Sequence, residues 1–288
     1  MSAFKAIAKG LGTTFRKPRI ILVLYVFNLA FAVLAAVPFV LLIQRELGPS
    51  LLGSSVRPVD IMWIGEAVLK YGEALPVLLG GLVVAAVLYL ALQIFLNGGV
   101  VGRLVDREGR TTLEPFFADA GRYFWRFVRI FLVSVVFLIL TFGVVLELVS
   151  ALIKPASESA ATEWLPLILS NVHFLLALLL LSIVRMVVDY TRIAVVADGE
   201  AKVLRALRHA LKFLRKRFFR AWAIYLALVG LTLAGAVVFY VALGRFSDPV
   251  VPGIVAGLIL MQIYVAFRVW VRTLFVAAQA EYYKAHPY

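Results

Sequence analysis

The chain has 288 residues, no cysteine and a net charge of +13; 63% of it is hydrophobic, and its mean hydropathy is +0.98. Globular domains run nearer half apolar, so a soluble core of this length could not bury so much apolar surface, and lipid has to cover the rest. The missing cysteines exclude disulfides, thiolate catalysis and Cys-ligated metal or iron–sulfur sites. The basic residues flank apolar runs, with no aromatic platforms interleaved in an exposed loop, which argues against nucleic acid as a partner.

Met1 to Phe15 is a short amphipathic stretch that ends on Arg16, Lys17 and Pro18. The first apolar run, Ile20–Ile43, is too long for a signal-peptide core and reads as a retained helix. The second, Ala74–Leu96, closes on Asn97, Gly98, Gly99 and Arg103. Leu113 to Trp125, punctuated by Pro115, is another weak amphipathic stretch before the third run, Ile130–Val149. The fourth, Leu165–Val184, runs into Arg185, Asp189 and Arg192, whose i, i+4, i+7 spacing puts both cations on one helix face with the carboxylate.

Ala201 to Phe218 is the clearest amphipathic segment. Val203, Leu207, Ala210, Leu211, Leu214 and Phe218 fall on one face, and Lys202, Arg205, Arg208, His209, Lys212, Arg215 and Lys216 on the other. The fifth run is Ala221–Leu243 and the sixth Val250–Phe267, after which Arg268 and Arg272 repeat the i, i+4 spacing without an acid between them. Each run can cross about 30 Å of hydrocarbon at about 1.5 Å per residue. Strand-like alternation is missing, so the fold class expected is an all-α integral membrane protein with six transmembrane helices.

Of the 29 Lys and Arg residues, 24 lie in the two tails and in every second gap between runs, with half of the 16 acidic residues. One face therefore carries about +16 and the other about −3. Positive charge stays on the cytoplasmic side, so the expectation is a multi-pass protein of the inner (plasma) membrane with both termini cytoplasmic. The whole chain, 1–288, reads as a single membrane domain.

Sliding the sequence by 200 positions puts Lys5 on Arg205, Ala6 on Ala206, Leu11 on Leu211, Arg16 on Lys216, Lys17 on Arg217 and Tyr25 on Tyr225. A slide of 110 puts Arg16 on Arg126, Arg19 on Arg129, Ile20 on Ile130 and Phe27 on Phe137. The shared order is a short amphipathic stretch, a basic step, a span out and a span back, which divides the chain into three units at about 1–97, 110–190 and 200–275. Each unit would be an interfacial helix plus a transmembrane hairpin.

Phe15-Arg16-Lys17-Pro18, Trp125-Arg126-Phe127 and Lys216-Arg217-Phe218 carry a resemblance of layout. Over nearly the whole chain that layout resembles the six-span membrane domain of some bacterial glycerophosphodiester phosphodiesterases and of related stand-alone membrane proteins. In those phosphodiesterases hydrolysis belongs to a separate soluble barrel. That barrel is absent from this sequence, so the resemblance implies a membrane domain and no catalytic residue.

Few residues offer chemistry within the spans. Glu147 and His173 stand where the third and fourth helices could bring them together; otherwise Glu147 snorkels to the outer interface and His173 bonds a neighbouring helix. Asn28, Gln93, Asn171 and Gln262 complete the strongly polar set. At the basic ends of the even spans, Arg185, Asp189, Arg192, Arg268 and Arg272 either converge on a vestibule for an anionic headgroup or simply obey the positive-inside rule. Arg205, Arg208 and Lys212 on the amphipathic segment are the further candidates for contact with anionic lipid, at about 1 kcal/mol per cation near the surface.

Three scattered histidines and no paired carboxylates in the spans leave no expected metal, cofactor or catalytic site. The function expected is non-enzymatic: a binding or scaffold protein of the inner membrane that contacts anionic lipid, with membrane lipids and another membrane protein or a second copy as partners. The alternative is a transporter or lipid-moving protein for an amphipathic or anionic small molecule, which would need an enclosed path past Gln262 and His173.

Overall fold

The structure is a computed structural model that describes residues 1–47, 75–106, 112–159, 162, 164–245 and 251–286. Its helices are α1 (Ala3–Arg16), α2 (Pro18–Leu47), α3 (Leu75–Val105), α4 (Leu113–Leu140), α5 (Leu146–Glu158), α6 (Trp164–Ala197), α7 (Val203–Gly244) and α8 (Val251–Lys284). A single π-helical turn, Thr141–Val145, joins α4 to α5. No strand occurs among the described residues. Six helical stretches among them are long and apolar enough to cross a membrane, and the chain is an all-α, multi-pass membrane protein. Ala74 and Val250, the first residues of the second and sixth apolar runs, lie outside the described residues.

At their basic ends the even-numbered spans outlast the apolar runs. α3 continues to Val105, α6 to Ala197 and α8 to Lys284, where the runs end at Leu96, Val184 and Phe267. The continuation of α6 shows the reason. Met186, Val187, Val188, Tyr190, Ile193, Ala194 and Val195 are all buried, so these turns are covered by neighbouring helices on nearly every side.

The described contacts divide the chain into two compact units, residues 1–21 with 94–288, and residues 22–93. In the first, almost all buried apolar residues fall in the segments 94–104, 116–130, 186–195, 203–228 and 269–283. The opposite ends of the same helices expose Phe174, Leu175, Val237, Val238, Leu258 and Ile259, as helices bathed in lipid do. α1 lies along α8 through a stripe of small residues, Ala6, Gly10 and Thr14; a Cβ on Gly10 would stand 2.8 Å from the Ala278 amide nitrogen. In the second unit, Asn28 Oδ1 accepts from Tyr89 Oη at 2.8 Å and from Gln93 Nε2 at 2.7 Å, a polar clasp between two apolar helices.

α7 is two limbs. At Arg217 the backbone leaves helical geometry (φ −137°, ψ 24°), which separates an amphipathic limb from the spanning one. Lys17, between α1 and α2, has similar angles (φ −123°, ψ 52°) and stands 200 positions earlier, the offset at which the sequence matches itself. α4 runs on through Phe127 without such a break.

The buried face of the amphipathic limb is rotated from the one expected. Val203, Ala206, Ala210, Phe213 and Leu214 are buried, while Leu211 is 43% exposed. Phe213 takes the place assigned to Leu211 because it packs among Tyr190, Tyr282 and Tyr283, with ring centroids 5.0 to 5.7 Å apart.

Candidate functional site

At the basic ends of the even-numbered spans a hydrogen bond joins α8 to α3 and an ion pair lies within α6. On α6, Arg192 Nη1 is 3.4 Å from Asp189 Oδ1. The Asp189 carboxylate lies in the field of Arg192, Arg185 and, from α8, Arg272, and the buried Gln279 amide is turned toward it without reaching full hydrogen-bond geometry. Arg272 Nη2 in turn donates to Asn97 Oδ1 of α3 at 3.1 Å. Arg185 and Arg272 are exposed, and Asp189 and Arg192 half-buried. Arg268 stands apart from this set, its guanidinium 6.0 Å from the Tyr264 ring centroid. The expected meeting of the even spans thus includes Arg185, Asp189, Arg192 and Arg272, with Asn97 and Gln279 added and Arg268 left to one side.

Arg103, at the end of α3, is occupied structurally. Its Nη2 is 2.5 Å from Asp119 Oδ2 on α4 and 3.4 Å from Asp106 Oδ2. The approach of α4 is close because α3 presents glycine there: a Cβ on Gly102 would sit 2.6 Å from Asp119 Oδ2, and one on Gly99 2.7 Å from the Phe116 carbonyl oxygen. Lys17 Nζ donates to the Arg103 and Asp106 carbonyls, and Lys284 Nζ to the Val105 carbonyl, so two cations cap the negative end of α3. Burial pushes the Lys17 ammonium below its ordinary 10.5; Asp106 opposes that shift and Arg103 adds to it.

A second place of interest lies between α4 and the start of α7. A groove of about 670 Å³ is lined by Arg129 and Val133 from α4 and by Lys202, Val203, Leu204, Arg205 and Arg208 from α7. Its lining combines four cations with three aliphatic side chains. Arg205 is also 3.5 Å from Glu200. Lys212 is exposed on the same limb but does not line the groove. Arg129 was legible only as part of a basic step; its distance of 73 positions from Lys202 hides the pairing.

Glu147 and His173, the ionisable candidates within the spans, do not meet. Glu147 is exposed and His173 half-buried, and no hydrogen bond or ion pair joins either to another described residue. Gln262 is half-buried on α8. Among the described residues no group of three or more His, Asp or Glu side chains could hold a metal ion.

No protein-family model, no curated protein and no solved structure matches this chain.

Proposed function

We propose that this is a non-enzymatic binding or scaffold protein of the inner membrane, with both termini cytoplasmic, whose basic surface holds anionic lipid of the cytoplasmic leaflet. The observation that carries the reading is the first limb of α7. Val203, Ala206, Ala210, Phe213 and Leu214 are buried, while Lys202, Arg205, Arg208, Lys212, Arg215 and Lys216 stay exposed together with Leu204 and Leu211, and the limb breaks at Arg217 directly before an apolar span. A helix that turns cations outward beside a membrane crossing is suited to the level of the phosphates. The packed basic ends of the helices and the exposed apolar sides beyond them favour binding over an enclosed transport path.

The backbone breaks at Lys17 and Arg217, 200 positions apart, support reading the chain as repeats of amphipathic helix plus hairpin, the layout in which it resembles the membrane domain of some phosphodiesterases. The lipid reading is tested by changing Arg205, Arg208 and Lys212 together to Gln. The full chain, purified in detergent and exposed to equal phosphatidylglycerol and phosphatidylcholine, should retain phosphatidylglycerol preferentially, and the triple variant should lose at least half of that preference. An unchanged ratio of the two lipids overturns the reading.

A further inference from the structure

The groove between α4 and α7 is narrower in its demands than a basic surface. The i, i+3 spacing of Arg205 and Arg208 sets two cations along one helix edge, Lys202 adds a third from the helix cap, and Arg129 reaches the same space from a different helix. Glu200, beside Arg205, offsets one of the four charges, which leaves an excess of about three. A single phosphodiester would match one of those three charges, whereas two phosphates a few ångströms apart match two of them. Guanidinium groups suit this task because they grip phosphate oxygens in pairs.

The aliphatic part of the lining decides between a soluble anion and a lipid. Val133 lies one turn beyond Arg129 on the way into the apolar part of α4, and Leu204 is 67% exposed among the cations of α7. A free phosphate compound gains nothing from these side chains. An acyl chain entering from the groove would cover them. A volume of about 670 Å³ exceeds what one phosphate headgroup fills. Given the lipid-binding reading above, we infer that this groove is a site for one phospholipid bearing two phosphates, with its headgroup among Arg129, Lys202, Arg205 and Arg208 and a chain along Val133 and Leu204.

The test uses the detergent-purified full chain with cardiolipin as the diphosphate probe and phosphatidylglycerol as the monophosphate one, with bound lipid counted by native mass spectrometry. The expected result is one cardiolipin per chain, held roughly tenfold more tightly than phosphatidylglycerol, from the added guanidinium contacts to the second phosphate. Arg129→Gln with Arg208→Gln should abolish that preference, Arg129→Lys should keep much of it, and Lys5→Gln with Lys9→Gln, exposed on α1 and outside the groove, should leave it intact. Equal retention of the two lipids per phosphate overturns the diphosphate site while leaving anionic-lipid binding in place. Retention of phosphatidylcholine equal to both removes the broader reading as well. Displacement of cardiolipin by inorganic pyrophosphate at low millimolar concentration would show that the phosphates alone are recognised and would overturn the lipid assignment.

Discussion

Arg103 and Asp119 show how a charge is kept beside a membrane. Their side chains are 11% and 13% exposed, and the 2.5 Å pair joins α3 to α4 at the point where Gly102 allows the carboxylate against the helix backbone. Removing Asp119 leaves the buried Arg103 with only the more distant and more exposed Asp106 as counter-charge, so Asp119→Asn should lower unfolding free energy by about 1 to 3 kcal/mol. Adding Arg103→Gln to that variant should recover part of the loss. Denaturant titration of the detergent-solubilised protein measures both, and a loss below 1 kcal/mol for the single change would show the pair to be dispensable. Such pairings were not legible beforehand. The sequence marks Arg103, Asn97 and Arg272 as polar residues at helix ends, but which of them meet depends on how helices from distant parts of the chain pack together.

The helices themselves were legible to different depths. Six apolar runs announce six crossings because length alone excludes most other readings, and all six appear as helices. The apolar runs end at Val184 and Phe267, whereas Tyr190, Thr191 and Gln279 beyond them are buried within continuous helix, as the helical spacing of Arg185, Asp189 and Arg192 implies. Periodicity found the amphipathic limb of α7 and misjudged its rotation. Two large apolar side chains, Leu211 and Phe213, compete for the inward face, and only the aromatic surroundings supplied by α6 and α8 decide between them. Phe213→Ala should therefore cost about 3 to 5 kcal/mol as a cavity opens among Tyr190, Tyr282 and Tyr283. Leu211→Ala, on the exposed side, should stay within about 0.5 kcal/mol. Equal losses at the two positions, measured by thermal unfolding in detergent, would restore the face first expected from the sequence.

For the whole molecule the governing quantity is sidedness. On the proposed orientation about +16 of charge lies on the cytoplasmic side and −3 on the other, because Lys and Arg near the ends of spans would be retained in the cytoplasm. Ser159 follows α5 and Arg215 lies on the amphipathic limb of α7; both are exposed, and one crossing, α6, separates them. They must face opposite sides of the bilayer. Because the chain has no cysteine, each position can carry a single reactive thiol without other changes. In intact cells a membrane-impermeant maleimide should label Ser159→Cys from outside and leave Arg215→Cys untouched until the membrane is permeabilised. The reverse pattern would turn the groove of Arg129, Lys202, Arg205 and Arg208 toward the exterior, where no cytoplasmic leaflet is present, and the proposed headgroup site would fall with the orientation.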